Sequence, residues 1–147
     1  MSTPRVPTVI FIGQPNSGKS TLFNSIAGHK AETSNFPGTS IKHTHSRVNI
    51  EGRLLDIVDL PGTYSLCTTD PAEQVVLTHL FAERPDLVVN VVDASTLSRG
   101  LEPTLELVEL GYPMVIALNM MDVAERKGIQ LDAPAVEKLL GAPVTPT

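Results

Sequence analysis

Three short stretches of this 147-residue chain combine residue types and spacings suited to phosphate chemistry. Gly13-Gln14-Pro15-Asn16-Ser17-Gly18-Lys19-Ser20 fits the pattern G-x-x-x-x-G-K-[ST]. In that pattern successive backbone N–H groups turn toward a phosphate chain, and the helix that follows adds partial positive charge. Gly13 and Gly18 let the backbone come close. Lys19 is placed to bridge the β- and γ-phosphates, and the Ser20 hydroxyl to bind magnesium. Asp59-Leu60-Pro61-Gly62 is the second stretch. An Asp that ends a strand can hold magnesium through a water, and the Gly62 N–H can reach a γ-phosphate. In the third stretch, Asn119-Met120-Met121-Asp122, the carboxylate can accept from the N1–H and exocyclic amine of guanine. Adenine lacks that donor pair, and a site built on such hydrogen bonds discriminates by up to about 10⁴–10⁵. A loop hydroxyl, Thr39 or Ser40, would complete the magnesium shell around a nucleoside triphosphate, and such loops order with GTP and release on hydrolysis. Thr63 follows Gly62, but its hydroxyl cannot act as a base near neutral pH. Activation of a water must come from elsewhere.

These stretches need elements that bring them together. Val9-Ile10-Phe11-Ile12 is a short β-rich run that stops at Gly13. A helical pattern follows, with Leu22, Phe23 and Ile26 on one face, and ends at Gly28. Residues 29–45 are polar, broken by Pro37-Gly38, and read as a long functional loop. Arg47 to Ile50 and Arg53 to Asp59 flank Glu51-Gly52 as a β-hairpin. After a loop from Leu60 to Thr69, Asp70-Pro71-Ala72-Glu73 has the N-cap, proline and capping box of a helix start. Val75, Val76, Leu80 and Phe81 supply that helix with an apolar face. Asp86 to Asp93 and Met114 to Leu118 read as buried strands. Leu101 to Leu110 and Ala133 to Leu140 read as helices, and Pro143-Val144-Thr145 as an edge strand. The alternation predicts an α/β fold, a mostly parallel sheet with helices on both faces. Ligands bind such sheets beyond the carboxyl ends of the strands, where all three stretches fall.

Bulk properties narrow the classes. The length suits one domain with its own core, and 41% apolar and 18% charged residues are ordinary for a soluble globular chain. A net charge of −5 counts against a broad nucleic-acid-binding surface. Cys67 is the only cysteine, so no internal disulfide forms, which fits a reducing compartment. The N-terminus has no signal-peptide pattern, and no apolar run approaches the roughly 20 residues of a membrane span, so the chain is expected to be soluble as it stands. His43 and His45 share one face of an extended segment. With no third ligand in sight they read as plain surface residues.

The stretches GQPNSGKSTLFNSIAGHK, NFPGTS, DLPGTYSL, PDLVVNVVDAS, LELGYPMVIALNMMD and GAPVTPT resemble the cytosolic G domain of the ferrous iron transport protein B family, a translation-factor-like class of GTPases. The similarity runs over nearly the whole chain. Asn-Met-Met-Asp is telling, because most small GTPases carry Lys after the Asn. The resemblance implies a P-loop NTPase of the Ras-like G-domain type, with a six-stranded sheet containing one antiparallel strand. It implies residues 1–147 as a GTP-binding domain that stops before the last guanine-contact loop, with the family's helical and transmembrane domains absent. It also implies partners: guanine nucleotide, and the transporter's own helical and membrane domains on the cytoplasmic side of the cell membrane. Nucleic acid is not expected, and oligomeric state is left open.

Site roles follow from the same resemblance. The nucleotide would be held by Gly13, Gln14, Pro15, Asn16, Ser17, Gly18, Lys19, Ser20 and Thr21 of the phosphate loop. Gly38, Thr39 and Ser40 would join from the next loop, then Asp59, Leu60, Pro61 and Gly62, and finally Asn119, Met120 and Asp122. Magnesium would be held by Ser20 and Asp59 with Ser40 or Thr39; spacing from Lys19 puts the family's switch hydroxyl on Ser40. Asn16 would hold potassium together with backbone carbonyls around Phe36 and Gly38. Asn16, Lys19 and Gly62 would carry catalysis, with potassium taking the part of an arginine finger. The expected activity is slow hydrolysis of GTP to GDP and phosphate, faster in potassium than in sodium. Two other functions fit part of the pattern: a nucleotide-dependent regulatory switch without hydrolysis, and a ribosome- or tRNA-associated GTPase. The acidic charge and Asn-Met-Met-Asp weigh against the second.

Overall fold

The computed structural model describes residues 5–14, 16–28, 31–35, 42–60, 71, 74, 78 and 85–147. Among them are seven strands: β1 (Thr8–Gly13), β2 (Glu32–Asn35), β3 (Lys42–Ile50), β4 (Arg53–Asp59), β5 (Leu87–Asp93), β6 (Met114–Asn119) and β7 (Val144–Pro146). The helices are α1 (Lys19–Ala27), α2 (Leu97–Leu110), α3 (Met121–Arg126) and α4 (Ala133–Leu140). The strands form one sheet in the order β2-β3-β4-β1-β5-β6-β7. β1 lies parallel between β4 and β5, and β6 and β7 continue the parallel run. β3 alone runs antiparallel to both of its neighbours.

The central strands are apolar on both sides because both sheet faces are covered. Val9, Phe11, Ile57, Val91 and Ala117 pack with Phe23 and Ala27 of α1. Ile10, Ile12, Val88, Val92, Ile116 and Leu118 point the other way, toward Leu107 of α2, Ala124 of α3 and Leu140 of α4. Phe11 and Phe23 meet edge to face at 5.5 Å, which fixes α1 over β1. Ile26 is exposed instead of joining this face; Lys19, Phe23 and Ala27 are the buried positions of α1.

The expected architecture is present with one strand more than expected. β2 and the first residues of β3 lie within the segment read as loop. All four β2 residues are exposed, so no apolar alternation marks the strand; among the described residues it is held by its pairing with β3. The β3–β4 hairpin turns at Glu51 and Gly52, whose positive φ values of 52° and 82° suit a tight two-residue turn. Pro71, Gln74 and Thr78 are helical, as the capping pattern predicts. The cap residues Asp70 and Glu73, the apolar face of that helix and Cys67 lie outside the described residues. Among the described residues no helix is long and apolar enough to cross a membrane.

Sheet register places the chemistry. Phe11 pairs with Asp59, Gly13 with Val91, and Asp93 with Asn119. The carboxyl ends of β1, β4, β5 and β6 therefore lie along one edge of the sheet, with α1 rising from it.

Candidate nucleotide site

Gly13 ends β1 where no side chain fits. A Cβ there would lie 2.6 Å from the Val91 carbonyl and 2.9 Å from the Ser17 hydroxyl. The loop then folds back on itself, with the Ser17 N–H donating to the Gln14 carbonyl at 3.2 Å. Asn16 takes a left-handed φ of 68° at an exposed position. Gly18 follows at φ 84°, and a Cβ there would fall 2.0 Å from Asn119 Nδ2. A left-handed backbone and a close neighbour both require glycine. α1 opens with no side-chain cap and no acidic residue in its first turn. Its first-turn amides and dipole are thus suited to an anion.

Lys19 is buried, and its Nζ pairs with Asp59 Oδ1 and donates to the Leu60 carbonyl. The Ser20 hydroxyl donates to Asp59 Oδ2 at 3.1 Å. The first two residues of α1 thus converge on one carboxylate at the end of β4. A hydroxyl and a carboxylate side by side are hard oxygen donors, which fits the set magnesium takes. Thr21 is exposed beside them.

Asn119 holds the loop from the other side. Its Nδ2 donates to the Ser17 carbonyl at 3.0 Å, and its Oδ1 accepts from the Thr147 hydroxyl at 3.3 Å. Met120 has a left-handed φ of 59° and turns the chain into α3. Asp122 falls in the first turn of α3, three-quarters exposed, with one oxygen 3.0 Å from Arg126. A carboxylate has about four lone-pair sites, so this single exposed pairing leaves it acceptor capacity for a base.

The structure therefore gathers Gly13, Gln14, Asn16, Ser17, Gly18, Lys19, Ser20, Asp59, Leu60 and Asn119 at one edge and sets Met120 and Asp122 beside them. Pro15, Phe36, Gly38, Thr39, Ser40, Pro61, Gly62 and Thr63 lie outside the described residues. Two participants escape the sequence motifs: Thr147, which holds Asn119, and Arg126, which holds Asp122. Only the i,i+4 spacing of Asp122 and Arg126 could have signalled either.

A mostly parallel sheet, a glycine-rich loop opening a helix and a carboxylate on the adjacent strand define a P-loop nucleoside-triphosphate-binding domain. The family model for ferrous iron transport protein B matches residues 7–147, and the chain belongs to that family. It is 42% identical over 143 residues to the Fe(2+) transporter FeoB of Escherichia coli (strain K12), covering 95% of this chain and 18% of that protein. The chain thus spans about a fifth of the length of the curated relatives it matches. The cytosolic domain of the T. maritima FeoB iron transporter in its GMPPNP form superimposes with a TM-score of 0.90 at 32% identity, over 97% of this chain and 56% of that one. A GDP-bound mutant of the S. thermophilus FeoB G-domain gives 0.87 at 39% identity, over 97% and 54%.

Proposed function

We propose that this chain binds GTP and hydrolyses it slowly to GDP and phosphate, serving a ferrous iron transporter from the cytoplasmic side of the membrane. The observation that carries this function is the convergence of Lys19 and Ser20 on Asp59 beneath a loop tied down by Asn119. The GDP- and GMPPNP-bound forms of similar proteins support it.

The loop amides from Gly13 to Ser20 would cradle the phosphates. Lys19 has three donors, two of them engaged by Asp59 and Leu60, and the third can meet a phosphate oxygen. Ser20 and Asp59 would hold magnesium, with Thr39 or Ser40, and the bound ion would neutralise charge on the β- and γ-phosphates. Asn16, exposed at its left-handed turn, would present its amide oxygen to potassium. Gly62 would orient the γ-phosphate through its N–H, and Asp122 would select guanine through its carboxylate.

Single-turnover hydrolysis tests this function. GTP should be cleaved with magnesium, faster in potassium than in sodium, and ATP should not. Asn16→Ala should abolish the difference between the two salts. Equal rates in both salts with the native chain would remove Asn16 from its role, and binding without any cleavage would leave a nucleotide-dependent switch.

A further inference from the structure

We propose that His43 and His45 of β3, closed by Glu32 of β2, form a binding site for a borderline divalent transition-metal ion, on the opposite sheet face from α1. Along β3, Ser46 is buried and Val48 packs against the cluster that holds α1. His43 and His45 have the other parity and share the opposite face. Their rings lie 5.4 Å apart and nearly parallel, at 29°.

The third ligand comes from the strand that carries no sequence signal. Antiparallel register sets Glu32 directly across from His45, with Glu32 Oε2 3.7 Å from His45 Nε2. Two ligands at about 2.1 Å from one tetrahedral ion stand about 3.4 Å apart, so this pair is within a few tenths of an ångström of ligating spacing. Among the described residues no three such side chains already enclose a metal-sized point. Both Glu32 and His45 are exposed enough to rotate toward a shared ion, at 81% and 41%. Among the described residues, the buried His45 Nδ1 has no hydrogen-bond partner.

The surroundings favour a cation. The groove, about 620 Å³, also presents Arg47 and Asp56, but these neutralise each other through bonds of 2.8 and 3.1 Å. Among the described residues, Glu32 is then the groove's uncompensated charge beside the two imidazoles. Two imidazoles and one carboxylate suit zinc, cobalt, nickel or iron(II), whereas magnesium prefers all-oxygen shells.

The test is a Co²⁺ titration of the untagged chain in excess Mg²⁺, which occupies hard-oxygen sites, followed by visible absorption. One Co²⁺ should bind per chain and be displaced by Zn²⁺. His43→Ala and His45→Ala should each weaken binding about tenfold or more, and Glu32→Gln less. His45→Gln keeps size and polarity and serves if the alanine variant folds poorly. An absence of saturable binding, or a Co²⁺ spectrum unchanged by the His43→Ala/His45→Ala pair, would overturn the site.

Discussion

Asn119 and Asp122 sit three residues apart, yet their surroundings give them different tasks. The Asn119 amide meets the Ser17 carbonyl at one end and the Thr147 hydroxyl at the other, which ties it to the phosphate loop. Replacing it with Ala leaves a part-buried carbonyl without its donor. A lost hydrogen bond of this kind costs about 1–3 kcal/mol, so Asn119→Ala should weaken GDP binding about tenfold or more. A fluorescent-GDP titration checks this, and unchanged affinity would show that the loop holds its shape unaided. Asp122 is the exposed member, held among the described residues by Arg126 across one helical turn. An exposed i,i+4 pair contributes only a few tenths of a kcal/mol, so a base can take over the carboxylate at little cost. Asp122→Asn swaps one acceptor oxygen for a donor. Guanine then faces a mismatched amine, while xanthine offers a carbonyl at the same position. GDP affinity should fall about 100-fold or more and XDP affinity should rise. Competition between the two nucleotides measures the switch.

Elements differ in how plainly their sequences announce them, and the reason is where each finds its stabilising partner. α4 announces itself locally. Asp132 accepts from the Ala135 N–H at 3.3 Å, Pro134 stands in the first turn, and Gly141 ends the helix at a left-handed φ of 72°. Its boundaries match those read from the sequence. Asp132→Ala should therefore cost about 1 kcal/mol and lower the melting temperature by about 2–4 °C, with GDP affinity unchanged. A loss of affinity in thermal and binding assays would mean that α4 supports the site directly. β2 is the opposite case. Glu32, Thr33, Ser34 and Asn35 carry no apolar face, and what steadies the strand is its neighbour, including a Thr33–Thr44 hydroxyl contact at 3.2 Å. A pairing partner that far along the chain leaves no mark on a four-residue window. The site divides the same way. The phosphate loop, Asp59 and Asn119–Asp122 are legible because chain-local spacing fixes them at strand ends. The place of Thr147 beside Asn119 is set by the pairing of β6 with β7, which a linear reading does not contain.

Across the whole molecule, the hydrogen bonds of Asn119 join parts that are far apart in the chain. Ser17 and Asn119 are 102 residues apart, and Thr147 belongs to the segment after the edge strand β7. Thr147 is pinned twice, its N–H donating to the Leu118 carbonyl at 2.9 Å and its hydroxyl to Asn119. The phosphate loop and the β7 edge thus share a single side chain. Any ligand that steadies the loop steadies Asn119, and through it Thr147. Binding linkage makes this coupling reciprocal: whatever orders residues 144–147 must tighten nucleotide binding by the same factor. Amide hydrogen exchange reads the effect directly. GDP should slow exchange at Thr145 and Thr147 several-fold, and Asn119→Ala should abolish that slowing while GDP is kept saturating. Thr147→Val removes the hydroxyl and keeps the size and the N–H, so it should weaken GDP binding less than Asn119→Ala. Equal exchange with and without GDP would show that the edge of the sheet is indifferent to the loop, and that Asn119 only braces a fixed structure.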